Sequence, residues 1–187
     1  MMNSQNIRKL VTTALIIALA IVFQQLRFVL GGSNIVSTYI ISSLVNLCLI
    51  VAATAVGLFS GVAVSAITPL IALLQGHATL PMVPWIIAGN AVLAILYALF
   101  AQKDKASLAI VWPRWATVGV TAALIKFAVI ALGQATVLTS AKGLAFQAAL
   151  STAAAAQVVQ AITAGIAMIL GGIILPMLPK KVVGKVS

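Results

Sequence analysis

Long apolar segments alternate with short breaks along the whole chain. The breaks contain glycine, proline, asparagine and serine, which end helices and form turns. Most segments have about the 20 residues that a helix needs to cross a hydrocarbon layer of roughly 30 Å. The pattern therefore predicts six transmembrane helices, over about 8–30, 36–56, 59–75, 83–101, 114–134 and 148–176.

The composition supports this interpretation. Of the 187 residues, 63% are hydrophobic and only 6% are charged. Too few polar residues remain to cover the surface of a water-soluble domain. We therefore predict an all-α integral membrane protein in which residues 1–187 form a single membrane domain.

The positive charges predict the orientation of the helices. The formal net charge is +10, and cytoplasmic loops of membrane proteins carry an excess of lysine and arginine. With the N-terminus in the cytoplasm, the inner side holds Arg8, Lys9, Lys103, Lys105, Arg114, Lys180, Lys181 and Lys185. The outer side holds only Arg27 and Lys142, and an even number of helices returns the basic C-terminus to the cytoplasm. Because the cations occupy short loops and tails, a nucleic-acid partner is not expected.

Long polar side chains concentrate near the middle and in the outer half of the predicted bundle. A rise of about 1.5 Å per residue places Lys126 just above the midplane and Asn46 near the middle. The candidates for substrate binding are Gln24, Arg27, Asn46, His77, Asn90, Lys126 and Gln157. The inner halves of the helices lack such residues away from their ends. This asymmetry predicts a capture pocket that opens to the outside, rather than a continuous channel.

Most of these candidates also have a purely structural interpretation. Arg27 could snorkel to the outer headgroups, and Asn46 and Asn90 could join helices without contacting a ligand. His77, in the loop after the third helix, could simply be solvated. Lys126 is the strongest candidate, because a lysine near the membrane centre costs about 2.5–3.5 kcal/mol on insertion scales. It must either snorkel outward or face a polar cavity.

The chain lacks the residues of several kinds of chemistry. Asp104 is the only acidic residue and lies on the inner side, so paired-carboxylate catalysis is impossible and Lys126 has no acid to pair with. Ion-coupled transport is disfavoured because it commonly uses carboxylates within the membrane. No phosphate-binding loop with a Gly-Lys-Ser/Thr ending is present. We therefore expect neither an enzyme nor an ATPase site in this chain.

Two small residues on the first helix indicate a surface for another helix. Ala14 and Ala18 lie four residues apart, so they share a face and allow close approach. Packing within the chain is the alternative.

These features together resemble the S component, the substrate-binding subunit of an energy-coupling factor (ECF) vitamin transporter. The resemblance rests on six helices, cytoplasmic termini, the Ala14–Ala18 spacing and an outer pocket without an energy source. It implies that the alanines dock on a transmembrane T component, which joins two ABC-type ATPases that hydrolyse ATP. It also implies vitamin capture at a prokaryotic cell membrane, with no cofactor or metal site in the S component itself.

Several segments most resemble the cobalamin-type S components: Leu44 to Asn46, Gly57 to Gly61, Thr68 to Ala72, Gly76, and Pro84 to Asn90. Asparagine and glutamine would pair with corrin amides, Lys126 or Arg27 with the nucleotide-loop phosphate, and His77 would approach cobalt. The same cations suit the carboxylate of pantothenate. An S component for another vitamin, a stand-alone small-solute permease and a purely structural assembly protein are the alternatives.

Overall fold

The computed structural model describes residues 4–32, 34–103 and 111–178, which form helices joined by short turns, with no β-strand among them. Six α-helices follow one another: α1 (Ser4–Val29), α2 (Ile35–Val51), α3 (Leu58–Leu74), α4 (Val83–Lys103), α5 (Trp112–Lys142) and α6 (Phe146–Ile174). A π-helical turn, Ala52–Val56, extends α2, and 3₁₀ turns at Leu80–Met82 and Leu175–Met177 adjoin α4 and α6.

The lengths and surfaces of these helices suit a membrane. Counted with their adjoining turns, five of the described helices are long and apolar enough to cross one, and α3 is apolar but has only 17 residues. Large aliphatic side chains are exposed along all six helices. Such a surface is stable in lipid, where apolar side chains need no burial in protein. The prediction of an all-α membrane protein is therefore confirmed.

The predicted helix boundaries hold to within a few residues except at the end of the fifth helix. The sequence predicted a break from Gln134 to Gly143, but α5 continues through this segment to Lys142. The segment contains polar residues but neither glycine nor proline before Gly143, so nothing in it interrupts the backbone hydrogen bonds. Gly143 ends the helix in the left-handed conformation (φ 65°), and its N–H donates to the carbonyl of Thr139.

A tight hairpin joins α2 to α3, as the glycines around this break predicted. Gly57 alone separates the π-helical turn from α3, with a φ of 132° that side-chain-bearing residues rarely adopt. Gly61 then lies against the returning chain, where an added Cβ would be 2.8 Å from the Cβ of Ala53. The two segments therefore pack backbone to backbone.

The beginning of α5 forms a closely packed core with α4 and α6. The Trp115 ring packs edge-on against Tyr97 at 4.8 Å and Phe100 at 5.6 Å, and its indole N–H donates to the carbonyl of Met168 at 2.8 Å. Gly119, one turn later, has no room for a side chain, because a Cβ there would lie 2.1 Å from the sulfur of Met168. This end of the bundle is filled by aromatic and aliphatic side chains.

Part of the predicted charge asymmetry lies outside the described residues, namely Lys105, Lys180, Lys181, Lys185 and the side chain of Lys103. Within them, Arg8, Lys9 and Arg114 lie near the starts of α1 and α5, whereas Arg27 and Lys142 lie at the ends of these helices.

Candidate functional site

Lys126 lies at the centre of the longest helix and is almost completely buried. It follows Trp112 by fourteen residues and precedes Lys142 by sixteen, and its side chain is 1% exposed. Because α5 extends beyond the predicted end, Lys126 lies at the middle of this helix. The alternative in which Lys126 snorkels outward is wrong.

The lysine is held by a chain of hydrogen bonds that joins three helices. The Lys126 Nζ donates to Asn46 Oδ1 at 2.5 Å, and Asn46 Nδ2 donates to Thr163 Oγ1 at 3.2 Å. The Thr163 hydroxyl in turn donates to the carbonyl of Gln160, at a longer distance of 3.4 Å. An ammonium group has no acceptor, so Asn46 must direct its carbonyl oxygen to the lysine and its amide nitrogen to α6.

This network leaves hydrogen-bonding capacity unused. A protonated lysine has three donors, and Asn46 is the single hydrogen-bond acceptor that Lys126 reaches among the described residues. One turn from Asn46 on α2, Ser43 is 4% exposed, and its hydroxyl oxygen has no partner in the described part of the chain. Residues three apart on a helix share a face, so Ser43 belongs to the same buried face as Asn46. We call Ser43, Asn46, Lys126 and Thr163 the central polar cluster.

Ser43 and Thr163 are the members of this cluster that the sequence did not reveal. Serines in apolar helices usually bond to their own backbone, and Thr54 does so with the carbonyl of Ile50. For Ser43, a hydroxyl three residues before a central asparagine was the available signal. Only the tertiary structure shows that it is both buried and left without a partner.

Asn90 is buried on α4, next to a glycine that packs against α5 at Lys126. The side chain is 5% exposed, and the adjacent Gly89 packs against α5, where an added Cβ would be 3.3 Å from the backbone oxygen of Lys126. No hydrogen bond joins Asn90 to the cluster within the described residues. Its predicted role in substrate binding stays a prediction.

Gln157 forms a separate polar pair between α5 and α6. Its Nε2 donates to Gln134 Oε1 at 2.5 Å, and both side chains are partly buried. Gln134, where the predicted fifth helix ends, lies inside the continuing helix, eight residues before Lys142. Eight residues separate it from Lys126, which corresponds to about 12 Å along the axis. The two glutamines therefore form a second polar level nearer the Lys142 end.

Gln24 joins α1 to α3 instead of reaching the central polar cluster. It is buried, and its Nε2 donates to the carbonyl of Thr68 at 2.9 Å, directly before Pro69. This contact gives Gln24 a structural role in holding the first helix on the bundle.

Arg27 and His77 lie at the edge of the bundle. The His77 ring is 6.0 Å from that of Phe28, the neighbour of Arg27 at the end of α1. Burial lowers the pKa of His77, and the positive charge of Arg27 lowers it further. The neutral imidazole is therefore favoured where the end of α1 meets the loop after α3. Arg27, in the last turn of α1, and His77, just after the end of α3, both lie at the end of the bundle opposite Lys9, as the sequence predicted.

Apolar side chains close the contact between α4 and α5 around Lys126. The Trp85 ring occupies the space over Gly133, where an added Cβ would be 2.1 Å from the ring. One turn closer to Lys126, Ile130 is fully buried and packs on Gly89. In this conformation α4 and α5 therefore touch along the segment between Lys126 and the Gln134 level.

The predicted docking face on α1 is exposed. Ala14 and Ala18 are both exposed, which leaves this face of α1 open to a partner. Ala14 borders a groove of about 600 Å³ between α1 and the start of α3. Thr13 and Ser60 line this groove, and their hydroxyl oxygens are 2.6 Å apart. Thr13 donates to the carbonyl of Lys9, so Ser60 is the donor to Thr13.

Comparison of the chain with protein-family models, with curated proteins and with solved structures gave no match. The helices and the site define an α-helical membrane protein with a buried central polar cluster.

Proposed function

We propose that this protein is the substrate-capturing S component of an ATP-driven ECF vitamin transporter in a prokaryotic cell membrane. In this proposal all six helices span the bilayer, α3 does so together with the residues around it, and both termini are cytoplasmic. The charges support this orientation, because Arg8, Lys9 and Arg114 lie at one end of their helices and Arg27 and Lys142 at the other.

The observation that carries the proposal is the central polar cluster. A lysine in the centre of an apolar bundle is expensive, and such residues commonly serve a ligand or an ion pathway. A pathway would need polar side chains along the whole bundle, but the Trp115 end is packed with aromatic residues. The further polar levels, at Gln134–Gln157 and at Arg27 and His77, lie on the other side of Lys126. The distribution favours capture from one side.

The exposed face of α1 supports the second half of the proposal. A subunit that captures a vitamin but has no ATPase site needs a surface on which the energy-supplying partner can dock. Ala14 and Ala18 offer such a surface, because small side chains allow a foreign helix to approach closely. The groove beside Ala14 provides a concave surface for bulkier side chains of a T component.

Cobalamin or a related corrinoid is the substrate that we propose first. Corrin side chains carry many amides, which suit Asn46, Asn90 and Gln157, and the nucleotide loop carries a phosphate. Pantothenate is the alternative, because its carboxylate and amide suit the same side chains.

The decisive experiment is binding by the purified chain without partners. We expect cobalamin or pantothenate to bind with a dissociation constant below about 10 µM, or roughly −7 kcal/mol, in calorimetric titration. Absorbance and mass spectrometry of the purified protein would show any vitamin that co-purifies. No binding of any vitamin would refute the capture role. Uptake into proteoliposomes by this chain alone, without ATPases, would establish a stand-alone permease instead.

A further inference from the structure

We propose that the central polar cluster is a subsite for an oxyanion, so that the captured vitamin presents a phosphate or carboxylate to Lys126 and Ser43. This inference rests on the proposed function and deepens it, because it names the chemical group of the substrate that the cluster recognises.

The first argument is electrostatic. Lys126 is 1% exposed, and no aspartate or glutamate occurs among the described residues, since Asp104 is the only acid of the chain. Asn46 contributes only a dipole, which compensates a buried ammonium group incompletely. An oxyanion that enters the cluster supplies the missing charge. A neutral ligand group would leave the lysine as poorly compensated as before.

The second argument comes from the count of donors. Lys126 uses a single donor, on Asn46, and the Ser43 hydroxyl has no partner in the described part of the chain. Buried hydrogen-bond donors without an acceptor are rare, because nearly all buried polar groups in proteins have a hydrogen-bond partner. A phosphate or carboxylate has several acceptor lone pairs, so one group can accept hydrogen bonds from both side chains. Such charge-assisted bonds are stronger than neutral ones.

The third argument concerns the choice between the two cations near the predicted pocket. Arg27 lies in the last turn of α1 beside the loop that carries His77, where it is only partly buried. Lys126 lies at the level of Asn46 and Thr163, which fix its position through the chain of hydrogen bonds. A fixed, buried donor discriminates between charged and neutral ligands far better than an accessible one. The structure therefore assigns the oxyanion to Lys126.

A ligand must separate side chains to reach the cluster. The Trp85–Gly133 and Ile130–Gly89 contacts close the approach from the Gln134 level along α4 and α5. A ligand that approaches from this level must displace the Trp85 and Ile130 side chains.

The test uses two pairs of ligands that differ in a single charged group. Cobinamide phosphate is compared with cobinamide, and pantothenate with pantothenol, which has an alcohol in place of the carboxylate. The pair that binds identifies the source of the oxyanion. We expect the anionic member of that pair to bind the wild-type protein about tenfold or more tightly, as charge-assisted hydrogen bonds imply. We expect Lys126→Met to abolish this preference.

Ser43→Ala tests the subsite while Lys126 stays in place. It removes a buried hydroxyl without a partner, so folding is preserved, and it should reduce the preference for the anion severalfold. Thr139→Val is the matched control, because the Thr139 hydroxyl is likewise buried without a partner among the described residues but lies more than three turns from Lys126 on α5. It should leave the preference unchanged.

The outcomes separate the two proposals. Equal binding of both members of a pair to the wild-type protein overturns the oxyanion subsite while vitamin capture stands. A preference that survives both Lys126→Met and Ser43→Ala overturns it as well. If neither pair nor any other vitamin binds, vitamin capture itself is refuted, and the subsite is refuted with it.

Discussion

The central polar cluster and the groove on α1 are both places where polar side chains join helices, yet they differ in composition and in surroundings. In the cluster, a lysine bonds to an asparagine and both are buried. In the groove, two hydroxyls, those of Thr13 and Ser60, bond beside an open surface. The cluster has a lysine that no acid among the described residues can neutralise, whereas the two groove hydroxyls are bonded to each other and to the carbonyl of Lys9. This difference teaches that the first region suits a small charged ligand and the second a large apolar partner.

The largest expected effect comes from breaking the cluster on one side only. Asn46→Leu leaves Lys126 buried without its acceptor, and leaving a buried donor unsatisfied costs about 1–3 kcal/mol, or more when the donor is charged. Lys126→Met replaces the charge with an apolar chain of similar length, so it should destabilise much less. The double variant should recover most of the loss. Thermal unfolding in detergent measures all three, and equal losses for Asn46→Leu and the double variant would show that the charge is unimportant for stability.

The next effect concerns the packing that covers the cluster. Gly133→Ala places a methyl group where the Trp85 ring lies, 2.1 Å from its nearest atom, and overpacking of this kind costs about 1–3 kcal/mol. Gly165→Ala on α6 is the control, because nothing lies within 4 Å of a Cβ added there. It should be neutral or slightly stabilising, since alanine favours helices. Equal unfolding temperatures for the two variants would mean that α4 and α5 separate readily at Gly133.

Substitutions on the exposed face of α1 should leave stability nearly unchanged and should instead affect assembly with a partner. Ala14→Trp and Ala18→Trp change exposed side chains, so stability should stay within about 0.5 kcal/mol of the wild type and vitamin binding should be unaffected. Assembly with an ECF module should be lost, because a bulky ring prevents close approach of a helix. Leu124→Trp, at an exposed position on α5, is the control that should still co-purify. Normal co-purification of the alanine variants would assign this face to lipid contact.

The smallest effect lies at the edge of the bundle. Because burial and Arg27 lower the pKa of His77 in the folded protein, protonation favours the unfolded state. The stability that this histidine supports is complete above its ordinary pKa of about 6.5 and is lost as the pH falls below that value. Unfolding temperatures at pH 7.5 and pH 5 should therefore differ less for His77→Gln than for the wild type. The same difference in both proteins would exclude His77 as the source.

The pattern of apolar segments and breaks was sufficient to predict the helices, because helix length is dictated by the membrane and the breaks carry glycine and proline. It failed at the end of α5, where polar residues between Gln134 and Lys142 resemble a loop although they contain no helix-breaking residue. Polar side chains argue against a membrane helix only where they would face lipid. They are tolerated where another helix offers them a hydrogen bond. In α5, Gln134 bonds to Gln157 of α6 and the helix continues.

The sequence by itself determined the all-helical class, the expense of Lys126 and the absence of an acid that could neutralise it within the helices. Only the tertiary structure decided that Asn46, and not solvent, accepts the hydrogen bond of Lys126. It also decided that Gln24 donates to a carbonyl of α3 and that Ala14 and Ala18 are exposed. The physical reason is that periodicity and composition report what a residue needs. Which neighbour meets that need depends on helices that are distant along the chain, such as α2 and α5, which lie 80 residues apart at Asn46 and Lys126.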